Sequence, residues 1–193
     1  MKSVAVYCGA SAGTNEIYRQ QADLMGQTLA QRGLTMVYGG GRVGLMGAVA
    51  DSVLRHGGQV IGVIPDFLAD KELAHMGLTE LHVVKSMHER KLLMADLAEG
   101  FIAMPGGFGT LEELFEVLTW GQLGLHRKPS GVFNVNGFYD HQLLALDRMV
   151  TDGFLRPENR AQLQQADTPA GLLDQMLAYV PTDLEKWLTE PRT

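Results

Sequence analysis

"FIAMPGGFGTLEELFEVLTWGQLG", residues 101–124, runs from an apolar stretch through a glycine-rich turn into a helical pattern. Three of the four residues 106–109 are glycine, and the helical pattern opens with two carboxylates, Glu112 and Glu113. An apolar run, a glycine turn and helical spacing in this order predict a strand, a tight turn and a helix. Such a turn can bind an anion through the free amides of the helix start, or it can present a carboxylate for chemistry.

The same strand–turn–helix order extends in both directions along the chain. Strands are predicted at residues 4–8, 34–38, 59–64, 80–84, 101–104 and 130–135. Helical spacing fills residues 15–32, 45–56, 88–99, 110–123 and 140–152, and two more helices are predicted from Pro157 and over 169–180. Repeated strand–helix units imply right-handed crossovers. We therefore predict an α/β fold, a doubly wound parallel sheet flanked by helices, as a single domain over residues 1–193.

The composition restricts the class of protein. With 16 basic and 22 acidic residues the formal charge is -6, so no overall basic field attracts nucleic acid. No stretch approaches the roughly 20 apolar residues of a membrane span. The single cysteine, Cys8, excludes an internal disulfide and suits a reducing compartment. The start "MKSVAVYCGASAG" imitates a signal peptide, but its short apolar run favours a first strand. We expect a cytoplasmic protein without nucleic-acid or membrane partners.

Two more glycine-rich turns follow predicted strands, "CGASAG" at residues 8–13 and "YGGGRVGLMG" at residues 38–47. In a doubly wound sheet, ligands bind beyond the carboxyl ends of the strands, which is where all three turns lie. A single glycine turn also serves close packing without any ligand. Three such turns at strand ends favour a shared ligand that carries phosphate.

Each turn resembles a known signature that it does not complete. Residues 39–44 match the dinucleotide pattern, but the acidic residue expected at the end of the next strand is missing, and Asp66 stands too far along. None of the turns is followed by the Lys-Ser or Lys-Thr of a P-loop. Residues 9–13 fit a nucleophile elbow, so a serine hydrolase using Ser11 is an alternative, although no earlier strand supplies the second oxyanion donor.

The histidines and the cysteine show no metal-binding spacing. The six histidines form no His-Glu-x-x-His motif and have no cysteine partner at metal spacing. No lysine stands in an evident Schiff-base context. We expect neither a metal nor a cofactor.

A second informative stretch is "KSMHERKLLMADLAEG", residues 85–100. Ser86 and Glu89 form a capping box, which puts Arg90 and Lys91 in the first turns of a helix. Cations are unfavourable there, because the helix dipole makes that end positive. Either a bound anion compensates, or both side chains extend into solvent or meet Glu89 and Asp96 locally.

Residues Thr110 and Glu113 have the same capping-box spacing. Glu113 would then reach back to an orphan backbone N–H, and Glu112 and Glu116 would be ordinary solvated acids. The residues alone leave this reading and a chemical role for Glu113 both open.

Beyond these patterns the chain resembles the LOG ("lonely guy") family. "PGGFGTLEE" (105–113) matches the family motif Pro-Gly-Gly-x-Gly-Thr-x-x-Glu, and "VYCGAS", "MVYGGGRVGLMG", "VIGVIP", "SMHERK" and "LTWGQLG" resemble further family blocks in the same order. The matched blocks end before about residue 155. The resemblance implies a Rossmann-like fold and a homodimer, formed through the helices over 87–97 and 111–123. It also implies hydrolysis of the N-glycosidic bond of cytokinin riboside 5′-monophosphates, or of AMP in some members, to free base and ribose 5-phosphate.

The resemblance also implies roles for individual residues. The family's essential arginine and motif glutamate fall on Arg90 and Glu113, which are therefore the expected catalytic residues. Expected substrate-binding residues are Glu72, Lys91, Gly106, Gly107, Phe108, Gly109, Thr110, Leu111, Glu112 and Thr119.

Chemistry suggests how these roles divide. Glu113 would stabilise the positive charge that develops on the ribose ring and would orient the attacking water. Arg90 would hold phosphate or assist the departing base. Some relatives carry the label lysine decarboxylase, which this sequence does not support because no cofactor-binding lysine context appears. A non-catalytic nucleotide-binding or sensing module on the same fold is the alternative.

Overall fold

A computed structural model describes residues 1–69 and 74–181. Within these residues seven parallel strands form one sheet with the spatial order β4-β3-β2-β1-β5-β6-β7. The strands are β1 (Ser3–Tyr7), β2 (Thr35–Tyr38), β3 (Val60–Pro65), β4 (Glu80–Val84), β5 (Phe101–Ala103), β6 (Ser130–Phe133) and β7 (Leu163–Ala166).

Helices connect the strands and cover both faces of the sheet. They are α1 (Glu16–Gln31), α2 (Gly44–Arg55), α3 (Asp66–Ala69), α4 (Met87–Leu97), α5 (Phe108–Gln122), α6 (Asp140–Thr151), α7 (Pro157–Arg160) and α8 (Pro169–Ala178), with a 3-10 turn at Val135–Gly137. The predicted doubly wound parallel sheet is thus confirmed. No helix of the described residues is long and apolar enough to cross a membrane.

The alternation of side chains along β1 shows how the sheet separates two cores. Val4 and Val6 point into a cluster with α1 and α2, where Met25 and Val49 are fully buried. The intervening Ala5 and Tyr7 point into a second cluster with α4 and α5. Side chains of a strand alternate between its faces, so an apolar run without alternation predicts a strand covered on both sides.

The prediction missed β7. The segment Leu163–Ala166 reads LQQA and lacks the apolar run that marks the other strands. It lies at the edge of the sheet and pairs with β6 alone, so it needs less apolar surface than a central strand. The two helices predicted in this region are confirmed as α7 and α8, with the second ending at Ala178. Residues 182–193 lie outside the described part of the chain.

The strand order reverses between β1 and β5, which are hydrogen-bonded neighbours with Tyr7 opposite Ala103. From β1 the chain proceeds to β4 on one side of the sheet, and from β5 it proceeds to β7 on the other. Such a topological switch point opens a crevice beyond the carboxyl ends of the two strands. Two of the three glycine turns follow these two strands directly.

Close backbone approach explains the glycine at the start of α2. Gly44 has φ +63°, and a Cβ there would overlap the carbonyl group of Ala10 in the first glycine turn. Gly57 also has positive φ, at +78°, but a Cβ there would face open space. The two glycines therefore share a backbone conformation and differ in their surroundings.

We expect Gly44→Ala to destabilise the protein more than Gly57→Ala. The shared left-handed backbone should cost each variant about 1–2 kcal/mol, and the overlap with Ala10 should cost Gly44→Ala about 1–3 kcal/mol more. Urea unfolding with an unchanged m-value measures both free energies. Equal losses in the two variants would contradict the close approach of the turns.

Candidate active site

The three glycine turns meet at one edge of the sheet, as predicted. The N–H of Gly9 donates to the carbonyl of Pro105 at 3.0 Å, which joins the turn after β1 to the turn after β5. The carbonyl of Gly9 accepts from the N–H of Leu45 at 3.0 Å, which joins it to the start of α2. The backbone of one residue thus fixes all three turns relative to one another.

Helix α5 begins inside the motif glycine turn. Its N-cap is Gly107, and among the described residues no side chain caps it. The first bond within the helix runs from Leu111 N–H to the Gly107 carbonyl at 3.2 Å. The amides of Phe108, Gly109 and Thr110 precede any intrahelical acceptor, so they point out of the helix start toward the crevice. Free amides at a helix N-terminus favour an anion.

The alternative in which Thr110 and Glu113 form a capping box is wrong. The helix starts at Phe108, so Thr110 is already its third residue, and its side chain is buried rather than placed at the cap. Thr110 instead supports the turn: a Cβ at Gly106 would overlap its hydroxyl group, so glycine at 106 allows the two to pack. The capping explanation for Glu113 is thereby removed.

Glu113 lies half-buried on α5. Burial raises the pKa of the Cys8 thiol, and the negative charge of Glu113 raises it further. Burial likewise raises the pKa of Tyr7, with a smaller contribution from the charge of Glu113. A carboxylate that acts on both side chains lies close to the switch point between β1 and β5.

Arg90 is 6% exposed, which excludes the expectation that it extends into solvent. Its Nε donates to the carbonyl of Val63 at 3.1 Å, and its Nη2 donates to the carbonyl of Gly39 at 3.0 Å. A Cβ on residue 39 would overlap the guanidinium group, so the second glycine turn provides the space that Arg90 occupies. Carbonyls at the ends of β2 and β3 thus offset the unfavourable helix dipole.

The predicted N-cap at Ser86 is confirmed, but the carboxylate of Glu89 bonds one residue farther back than a capping box requires. The Ser86 hydroxyl accepts from the N–H of Glu89 at 3.1 Å, and the Glu89 carboxylate accepts from the N–H of Lys85 at 2.8 Å. This cap fixes the start of α4 and therefore the position of Arg90 one turn later.

Lys91 connects α4 to α5. Its Nζ lies 2.5 Å from a carboxylate oxygen of Glu112 and 3.0 Å from one of Glu116, and its side chain is mostly buried. Partial burial opposes the charge of Lys91, but the hydrogen bonds to the two carboxylates outweigh it and raise the pKa of Lys91. The expected local partners Glu89 and Asp96 are replaced by two carboxylates of the neighbouring helix. Glu112 and Glu116 are therefore ion-paired rather than simply solvated.

A pocket of about 330 Å³ lies against the first and third glycine turns. Its lining includes residues 9–13, Gly106 and Gly107, together with the aromatic side chains of Tyr18 and Phe138. The two rings meet edge to face with centroids 5.9 Å apart. Sequence reasoning missed both aromatic residues. Phe138 could have been found from the sequence, because it follows the carboxyl end of a predicted strand, where ligands bind in this fold.

The described residues bring only some of the expected binding residues to the same place. Gly106, Gly107, Phe108, Gly109, Thr110 and Leu111 form the turn and the start of α5. Thr119 lies about 13 Å from Thr110 along the axis of the same helix. Its hydroxyl donates to the carbonyl of Phe115 at 2.7 Å. It lines a separate apolar pocket of about 310 Å³ with Leu146 and Met149. Glu72 lies outside the described residues.

The geometry also argues against the other signatures. The amides of Leu45 and Met46 at the start of α2 donate to the carbonyl of Gly9, so the dinucleotide-like turn uses this helix start internally. Helix α1 begins only at Glu16, and the hydroxyl of Ser11 accepts from the N–H of Gly13 at 3.3 Å. A nucleophile elbow requires a helix directly after the serine, so Ser11 lacks that geometry. Within residues 1–69 and 74–181, no three His, Cys, Asp or Glu side chains group as metal ligands.

The fold and the glycine turns place the chain among doubly wound α/β proteins with a crevice at the carboxyl ends of the strands. Known proteins share this architecture: the molybdenum cofactor carrier protein from Chlamydomonas reinhardtii superposes with a TM-score of 0.68 at 20% identity, over 92% of this chain and 98% of that one. At this identity the likeness concerns the fold alone.

Sequence comparison is more specific. A family model described as "possible lysine decarboxylase" matches residues 46–176. The cytokinin riboside 5′-monophosphate phosphoribohydrolase of Rhodococcoides fascians is 52% identical over 163 residues, covering 84% of this chain and 82% of that protein. The enzyme of the same name, LOG5, from Arabidopsis thaliana is 46% identical over 182 residues, covering 94% of this chain and 80% of that protein. The chain therefore belongs to the LOG family.

Proposed function

We propose that this chain, as one domain over residues 1–193, hydrolyses the N-glycosidic bond of adenosine 5′-monophosphates, with or without an N6 substituent. Water adds its oxygen to C1′ of the ribose, the bond from C1′ to the base nitrogen breaks, and a proton passes to the base. The products are free base and ribose 5-phosphate. The names of the similar phosphoribohydrolases support this activity.

The observation that carries the proposal is the start of α5 at the switch point. Among the described residues this helix has no side-chain cap, and the half-buried Glu113 follows its free amides on the same helix. The 5′-phosphate would accept hydrogen bonds from the amides of residues 106–110, while the pocket beside the turn would hold the rest of the nucleotide. Phe108, which is 94% exposed, would close over the bound ligand.

Glu113 would act on the sugar. Breaking a glycosidic bond builds positive charge on the ribose ring, and a fixed carboxylate nearby stabilises that charge more in the transition state than in the ground state. The same carboxylate can orient or deprotonate the attacking water.

Arg90 would supply a fixed positive charge at the ends of β2 and β3. Its bonds to the carbonyls of Gly39 and Val63 hold the guanidinium in one orientation, so little ordering is required when substrate binds. This charge would bind phosphate or stabilise the departing base. Lys91, Glu112 and Thr119 remain predicted substrate contacts, as does Glu72.

We also propose a homodimer formed through α4 and α5. Leu92 on α4 is 55% exposed and Phe115 on α5 is 39% exposed, so each helix presents a large apolar side chain to solvent. A cytoplasmic location is proposed on the basis of Cys8, a buried free thiol that suits a reducing compartment.

Replacing Glu113 by Gln should remove most turnover. Gln keeps the shape of the side chain but cannot stabilise a developing cation, so release of adenine from AMP or of base from a cytokinin monophosphate should fall about a hundredfold or more. Thermal unfolding and nucleotide binding should change little. The matched control is Glu116→Gln, one turn along α5, which should retain most activity. Near-normal base release by Glu113→Gln would refute the assignment.

Activity should depend on the 5′-phosphate. We expect kcat/KM for AMP to exceed that for adenosine by about a hundredfold or more, because the free amides bind the phosphate. A substrate panel scored for free base measures this ratio. Equal values for nucleotide and nucleoside would contradict phosphate binding. Tight nucleotide binding without any base release would instead favour a non-catalytic sensing module.

Light scattering after size exclusion should give the mass of two chains. Phe115→Glu should shift the protein toward one chain, since a charge on an apolar interface is unfavourable. Leu144→Glu, at a 64% exposed leucine of α6, is the control and should leave the mass unchanged. A monomeric wild-type protein would exclude the proposed dimer.

A further inference from the structure

The hydrogen-bond ladder between β1 and β5 slips by one residue where the motif turn begins. Ala5 N–H donates to the Gly100 carbonyl at 2.9 Å, and Met104 N–H donates to the Tyr7 carbonyl at 2.8 Å. A regular parallel ladder would continue with Gly9 N–H on the Met104 carbonyl. Gly9 N–H instead donates to the carbonyl of Pro105, one residue farther along. The slip turns the chain out of the sheet and into the glycine turn.

The slip deprives a buried carbonyl of its ladder partner. Met104 is fully buried, so its carbonyl cannot turn to solvent. The hydroxyl of Tyr139 donates to this carbonyl at 2.7 Å. Buried backbone carbonyls are nearly always hydrogen-bonded, and one side chain supplies the bond here.

The segment after β6 is folded to deliver this hydroxyl. Asn134 accepts from the N–H of Tyr139 at 2.7 Å and donates to Asp140 at 2.7 Å, which fixes the turn that precedes α6. The Tyr139 ring is 1% exposed and packs with Ala103 and Leu114, which flank the motif turn in sequence. Burial raises the pKa of Tyr139 well above its ordinary range, so the phenol remains a protonated donor.

We infer that Tyr139 is a positioning residue for the phosphate-binding turn. By completing the hydrogen bonding of Met104, its hydroxyl stabilises the one-residue slip that places residues 106–110 and their free amides at the switch point. The inference rests on the proposed function, in which these amides bind the 5′-phosphate. Tyr139 acts through the backbone of Met104 and Pro105, and the part of the ligand that depends on it is the phosphate.

The test is Tyr139→Phe, which retains the ring and removes only the hydroxyl. The KM for AMP and the inhibition constant of ribose 5-phosphate should each rise about tenfold, because the unsatisfied carbonyl allows the turn to shift. The inhibition constant of adenosine, which has no phosphate, should stay within about twofold, as should kcat. Tyr179→Phe, at a half-buried tyrosine just after α8, is the matched control and should change none of these values.

A second variant reaches the same contact without deleting the hydroxyl. Asn134→Ala removes the acceptor for the Tyr139 N–H. It should selectively raise the inhibition constant of ribose 5-phosphate, by a smaller factor than Tyr139→Phe does. If Tyr139→Phe does not fold, this variant decides the question. Inhibition constants that do not change, or that rise equally for ribose 5-phosphate and adenosine, would overturn the positioning role of Tyr139. Wild-type protein that binds ribose 5-phosphate no better than adenosine would overturn the proposed phosphate site as well.

Discussion

The backbone hydrogen bonds of Gly9 are the contacts on which the rest of the site depends. Its N–H bonds to the turn after β5 and its carbonyl bonds to the start of α2. Three loops from distant parts of the sequence are thereby held together at the carboxyl ends of the strands. Because Gly44 and Gly106 allow these loops to approach at backbone distance, their places in the sequence follow from packing as well as from ligand binding. Contacts within the chain itself therefore hold the three turns around the crevice.

Ion pairs between α4 and α5 set the charge near the motif glycine turn. Lys91 pairs with both Glu112 and Glu116 and so offsets part of the negative charge beside the motif glycine turn. Arg90, one residue earlier, donates to the carbonyl of Gly39 in the second glycine loop. The two adjacent cations thus have different roles. Lys91 joins the two helices, and Arg90 brings positive charge to the ends of β2 and β3.

The sequence was sufficient to predict six of the seven described strands, their parallel direction and the meeting of the glycine turns, because buried strands and glycine turns leave strong local patterns. It was insufficient where a side chain acts over a long separation. The start of α5 was misplaced, because Thr110 has capping-box spacing although the helix begins at Phe108. The strand with Gln164 and Gln165 was missed because an edge strand needs little apolar surface. The partners of Lys91 and the contact of Tyr139 with Met104 depend on tertiary packing that no local pattern encodes.

The buried guanidinium of Arg90 also links assembly to competence. It bonds to residues 51 and 27 positions earlier in the chain, at the ends of two different strands. Arginine stays charged at any accessible pH, so its burial without such acceptors would be costly. A chain in which β2 and β3 have not yet paired would leave α4 undocked and its arginine in water. The burial of one side chain thus ties the docking of α4 to the pairing of β2 with β3.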